Sequence, residues 1–167
     1  MAKLLFKITH IATQLHYIYI VCYMTRETKY REILQEHGLK VTETRIQVLD
    51  VLMDSDVALS HSDITARLRD DCPDKVTLYR TLNAFVSCGL AHKVATEDRN
   101  WLYALQMQEN DTSLQANDHA HFICDSCDRI YCVPLDAEYL EPAVSSERGF
   151  IIKSQEFRLH GTCPDCN

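Results

Sequence analysis

The chain has 167 residues, 46% hydrophobic and 25% charged, with a net charge of −7, which suits an ordinary soluble globular protein of one domain or two small ones. Residues 26–105 carry 11 basic and 13 acidic side chains and residues 106–167 carry 4 and 11, so the C-terminal part suits cations better than nucleic acid. Eight cysteines point to a reducing, cytoplasmic setting and metal chemistry more than to a disulfide scaffold.

Lys3 and Lys7 precede a mostly apolar tract that runs to Tyr23. It lacks a small-residue cleavage site, and His10, Gln14 and His16 interrupt it. Its unbroken part, residues 17–24, is far short of the roughly 20 residues needed to span a bilayer, so no membrane partner is expected. Met24 then opens polar, helical sequence. Translation is expected to begin there, leaving residues 1–24 as an uncertain extension, with a genuine extra helix or strand as the alternative.

From Thr25 to Gly38 the spacing of Tyr30, Ile33, Leu34 and His37 predicts a helix that Gly38 stops. Thr42 can cap a second helix with an apolar face of Ile46, Leu49, Val51, Leu52 and Met53. Ser60 can cap a third, with Asp63 in the capping-box position and Ile64 and Leu68 inward. A fourth starts near Asp74 and carries Val76, Tyr79, Leu82, Phe85 and Val86 before Gly89. Two short extended runs follow, Leu90–Ala95 and Trp101–Leu105, separated by turn residues. Helices followed by a hairpin are the order of a winged helix-turn-helix, placed at 25–105. Residues 106–118 are polar and aperiodic, the composition of a linker.

Residues 119–167 form the second expected unit, a small α/β domain. His119–Cys124 and Arg129–Val133 read as strands, Asp136 can cap a helix to about Glu147, and Phe150–Leu159 reads as a long strand. Cys124 and Cys127 form one CxxC pair and Cys163 and Cys166 another. Two such pairs offer four thiolates, the set tetrahedral Zn²⁺ takes in structural sites. The plainer alternatives are disulfides or idle thiols. The 35 residues between the pairs exceed a small zinc ribbon, so a shared ion would fasten the chain end to the start of this unit. With no large core in either unit, that zinc would be needed for folding. His119 and His121 are two apart and project from one strand face. Cys132, on the facing strand, can add a thiolate, or serve only as a buried apolar thiol.

In a helix-turn-helix the first turns of the second helix read base edges in the major groove. Here those turns hold Lys75, Thr77, Tyr79 and Arg80. Arg pairs with guanine, and Thr or Tyr contacts a thymine methyl or a phosphate. The alternative is a solvated polar face.

The segment from Val76 to Leu82, the hairpin after it, the H-x-H-x-x-C-x-x-C run and the final C-x-x-C together resemble the ferric uptake regulator (Fur) family, over about Lys29 to Cys166. The resemblance implies an α+β protein: a winged helix that binds palindromic double-stranded DNA, then a dimerisation domain, with a sensed metal favouring the DNA-binding arrangement of a homodimer. It places Tyr79 and Arg80 at the recognition helix, Lys40 in or near the minor groove and Arg45 at the backbone. It makes His119 and His121 part of the sensory site. The chain departs from the family where Ala58 and Ala104 stand at ligand positions and where Cys132 replaces a carboxylate. A second family site is broken at Ala120 and Gln155, although Asp118 is acidic. His61, three residues from Ala58, and His92, in the hairpin, are the candidates for the missing ligand of the first domain, and the sequence leaves open which of them, if either, takes that place. A Cys-His-His set is softer than one for Fe²⁺, which tilts the sensed metal towards Zn²⁺.

The expectation is therefore a cytoplasmic, metal-responsive repressor with a structural zinc and an altered sensing site. An enzyme is disfavoured, because no phosphate loop, H-E-x-x-H or nucleophile elbow is present and neither CxxC opens a βαβ helix. The competing reading is a zinc-stabilised dimeric interaction or thiol-switch protein that has lost metal sensing.

Overall fold

The computed structural model describes residues 26–69, 72–96, 100–106, 119–135, 151 and 156–167. The expected extension 1–24, nearly all of the linker 106–118, the helix from Asp136 to Glu147 and most of the start of the Phe150–Leu159 strand lie outside these residues.

Helix α1 covers 26–36, and α2 runs Glu43–Met53. Gly38 sits between them at φ 68°, a left-handed conformation that ends a helix at little cost only for glycine. The Thr42 hydroxyl accepts from the Arg45 backbone N–H and caps α2. After the short strand β1 (Leu59–Ser60), α3 (His61–Leu68) begins with the complete Ser60–Asp63 capping box. The carboxylate of Asp74 accepts from the N–H groups of Val76 and Thr77 and caps α4 (Lys75–Ser87), which Gly89 ends at φ 76°. These caps satisfy helix-end donors that would otherwise be orphaned.

The helices close over one core in which Leu34, Leu49, Ile64, Leu78, Leu82 and Phe85 are fully buried. Each contributes roughly 1.5–3 kcal/mol of burial. In α4 the inward stripe is Leu78, Thr81, Leu82 and Phe85, and Val76 and Tyr79 are 57% and 40% exposed. One expected face is corrected: in α2 Val48 is inward and Met53 is exposed, because packing rather than hydrophobicity alone selects the inward residues.

Strands β2 (Ala91–Ala95) and β3 (Trp101–Leu105) form the hairpin wing, and β1 adds to the other side of β3, giving an antiparallel order β1-β3-β2. The second sheet is β5-β4-β6, with β4 (His119–Cys124) antiparallel to β5 (Ile130–Pro134) and parallel to β6 (Phe157–Gly161). A parallel neighbour requires a long crossover, which residues 135–156 supply. The α+β architecture with its winged helix is as expected.

The two sheets meet. The Ala58 N–H donates to the Ile130 carbonyl at 2.8 Å, and Val57 pairs with Tyr131 in an isolated bridge. Around this seam Ala58, Val94 and Ile130 are buried together, with Leu102, Ala104 and Ile123 against them. The winged helix therefore docks on the second sheet through apolar surface and backbone pairing. Among the described residues no helix is long and apolar enough to cross a membrane.

Candidate metal centre

Among the described residues two clusters of potential ligands are present, and each has its donor atoms within 4.8 Å of one another. The first is Cys124, Cys127, Cys163 and Cys166. The β4–β5 turn places the first pair, and the end of β6 returns the second pair beside it. Within the turn the Asp128 N–H donates to the Cys124 carbonyl at 2.9 Å, and the Cys163 N–H donates to the Cys124 sulfur at 3.3 Å. That last bond is the main reason the Cys124 thiol is pulled down to about 6. Cys166 is pushed up by the sulfurs beside it, Cys163 and Cys127 first. Four sulfurs this close cannot all ionise without a cation among them. The Cys127 and Cys163 sulfurs are 3.8 Å apart, and tetrahedral zinc with bonds of about 2.3 Å requires an S···S edge of about 3.8 Å.

The second cluster is His92, His119, His121 and Cys132. Alternation along β4 points both of its histidines the same way, and register pairs His121 with Cys132 on β5. His92 arrives from the wing. It faces Ala104 across the β2–β3 pair, and a methyl there leaves room for the imidazole. The three Nε2 atoms form a triangle with sides of 3.1, 3.2 and 3.2 Å, and the Cys132 sulfur is 3.5 Å from His92 Nε2. Tetrahedral zinc would give edges of about 3.3–3.4 Å between nitrogens and about 3.5–3.6 Å between nitrogen and sulfur. A neutral imidazole has a single proton, so three nitrogens in mutual contact cannot be fully satisfied by hydrogen bonds. One cation at the centre satisfies all of them.

The electrostatics suit a metal. Burial, with the neighbouring His119 and His121 adding to it, lowers the His92 pKa to about 4. Burial also lowers His121, partly offset by Glu156, whose carboxylate is 3.4 Å from Nδ1. The His92 and His121 imidazoles therefore present lone pairs at neutral pH. Burial raises the Cys132 thiol to about 11, so it must release a proton to become a ligand.

Of the two candidates for a ligand from the first domain, His92 is in the cluster and His61 is not. The His61 ring instead stacks on Tyr79. Ala58 and Ala104 lie in the apolar seam beside the cluster and donate nothing to it. No local sequence signal separates His92 from His61; the choice between them follows from the position of the β2–β3 wing against β4 and β5.

On the α4 side, Tyr79 and Arg80 are exposed in the first turns. Lys40 is exposed, and its carbonyl accepts from the Arg45 guanidinium at 2.5 Å, which ties these two basic residues together. Thr77 differs from expectation: its hydroxyl donates to the Asp74 carboxylate at 2.5 Å. It acts as part of the helix cap.

Comparison with known proteins adds the following. The model of the ferric uptake regulator family matches residues 36–160. The ferric uptake regulation protein of Campylobacter upsaliensis is 26% identical over 150 residues, covering 83% of this chain and 87% of its own. The zinc uptake regulation protein of Escherichia coli is 28% identical over 139 residues, covering 81% and 77%. The structure of the Vibrio cholerae ferric uptake regulator superposes with a TM-score of 0.59 at 24% identity, over 79% of this chain and 98% of that one. A zinc uptake regulator complexed with zinc and DNA gives 0.61 at 25% identity, over 84% and 91%.

Proposed function

The chain belongs to the ferric uptake regulator family, and from that premise we propose that it is a zinc-responsive, homodimeric transcriptional repressor that binds palindromic double-stranded DNA. The winged helix at 25–105 would bind DNA and residues 119–167 would form the dimer, joined by the linker 106–118. Cys124, Cys127, Cys163 and Cys166 would hold a structural zinc that closes the end of the chain onto the β4–β5 turn. Because all four positions are thiolates, that ion leaves no site open for chemistry.

The regulatory ion would be held by His92, His119, His121 and Cys132. The observation that carries the reading is the place of His92, a wing residue whose Nε2 touches donors from β4 and β5 of the other sheet. A metal acts on DNA binding only if it binds one domain arrangement more tightly than another. Three ligands from β4 and β5 would bind metal without sensing orientation, whereas the fourth ties the wing to the sheet. The ion supplies a positive charge that only the docked arrangement surrounds with four donors. His92 thus answers the loss of Ala58 and Ala104 as ligands, and it argues against a module that has lost sensing. Three imidazoles and a thiolate favour Zn²⁺ over Fe²⁺. Lys40, Arg45, Tyr79 and Arg80 would contact DNA, with Thr77 supporting them through the helix cap.

Zinc titration of protein already carrying its structural zinc, read by binding to an operator duplex at fixed salt, tests this. A rise in affinity on filling a second site is expected. A flat response from sub-nanomolar to micromolar free zinc would refute zinc sensing, and the same titration with Fe²⁺ under anaerobic conditions separates the two metals.

A further inference from the structure

His61 has no role in either metal cluster. It opens α3, half-buried, directly after the Ser60–Asp63 capping box that fixes the start of that helix. Its ring lies against Tyr79 of α4 with centroids 4.4 Å apart and 27° between planes, a stacked arrangement. Tyr79 is otherwise 40% exposed, and the Lys75 ammonium lies 5.9 Å from its ring centroid. The His61 Nε2 is buried with no hydrogen-bond partner among the described residues, so the stack, not a polar bond from Nε2, is what this ring gives its neighbour.

We propose that His61 is a positioning residue for sequence reading: its stack holds the Tyr79 ring in one orientation before DNA arrives. This rests on the assignment of α4 as the recognition helix. An exposed tyrosine must give up side-chain freedom when it contacts a base, and that ordering weakens binding. Stacking on a ring whose own backbone is fixed by a capping box completes the ordering in the free protein. The benefit appears only on sequences where Tyr79 meets its preferred base. Phosphate contacts, which carry no sequence information, are unaffected. Loss of the stack should therefore weaken binding to the preferred sequence by roughly three- to tenfold and leave binding to unrelated duplex unchanged. Since the nitrogen has no partner, a phenyl ring should serve as well.

The test uses full-length, zinc-loaded protein and a pool of randomised duplexes, followed by affinities for individual duplexes at fixed salt. The proteins are the wild type, His61→Ala, His61→Phe, Tyr79→Ala and the His61→Ala/Tyr79→Ala double variant, each checked for zinc content and melting temperature. His61→Ala is expected to lose discrimination at the same base positions as Tyr79→Ala, and His61→Phe to restore it. The double variant is expected to be no worse than Tyr79→Ala. The positioning role is overturned if His61→Ala keeps the wild-type preferences or weakens all duplexes equally. It is also overturned if the loss from His61→Ala persists undiminished in the Tyr79→Ala background. Enrichment of no sequence by the wild type would overturn the DNA reading and this role with it. Enrichment by the wild type with a silent His61→Ala overturns the role alone.

Discussion

Replacing His92 with alanine should separate metal binding from metal response. In the intact cluster His92 Nε2 lies 3.1 and 3.2 Å from the other two imidazole nitrogens and 3.5 Å from the Cys132 sulfur. Removing it leaves His119, His121 and Cys132, all from one sheet, so zinc can still bind with water in the fourth position. Loss of an outer-shell partner already weakens metal sites by about 10–100-fold, and loss of a direct ligand should weaken this one by at least about 100-fold. The effect on coupling is larger in kind. Allosteric couplings are typically about 1–3 kcal/mol, or about 5–150-fold in affinity, and the metal-dependent gain in operator affinity should shrink from that range to near onefold even at saturating zinc. Fluorescence anisotropy with an operator duplex, at zinc concentrations that fill the weakened site, reads this directly. Metal analysis of the same sample should still find the four-cysteine zinc. If His92→Ala at full occupancy retains a metal-dependent gain within about twofold of wild type, the wing ligand is not the coupling element and the argument fails.

Arg80→Ala should weaken operator binding while leaving zinc content and dimer mass unchanged. If the contact is to phosphate, the slope of log affinity against log salt also falls by about 1; unchanged affinity in a gel shift at fixed salt would remove Arg80 from the interface. Cys124→Ser should release the structural zinc and unfold the C-terminal sheet, seen as lost metal and increased proteolysis, whereas His121→Ala should lose only the second metal. Zinc affinity of the second site should rise about tenfold per pH unit between pH 6.5 and 8, because the Cys132 thiol, raised to about 11 by burial, must release one proton. His92, lowered to about 4, is already neutral there and releases none, so Cys132→Ala should flatten the dependence measured by chelator competition. In the metal-free protein the unfolded chain protonates position 92 below about 6.5 while the folded one resists to about 4. Stability should therefore fall as pH drops through that window, and His92→Leu should shallow the fall in a series of thermal melts.

Much of this protein is local in origin and is legible in its sequence. Thr42, Ser60 with Asp63, and Asp74 cap the helices that follow them because a cap needs only its own first turn. Gly38 and Gly89 end helices because their backbones adopt positive φ. The two CxxC pairs and the H-x-H spacing declare their chemistry within a few residues, since a turn or one strand face brings those donors together. The inward face of α2 was less legible, because Met53 is apolar enough to suggest burial and only packing assigns it outward.

Tertiary structure alone decided which distant residues share a site. His61 and His92 are both histidines of the N-terminal part, and nothing local separates a ligand from a residue that stacks on tyrosine. The β2–β3 register sets His92 opposite Ala104, and the docking of Ala58 and Val94 against Ile130 carries that strand onto β4. Contacts of this kind depend on how two sheets meet, and the free energy of that meeting comes from non-directional apolar burial. No short motif encodes it, so the sequence by itself could name His119, His121 and Cys132 and the type of the fourth ligand, while only the fold chose His92 over His61.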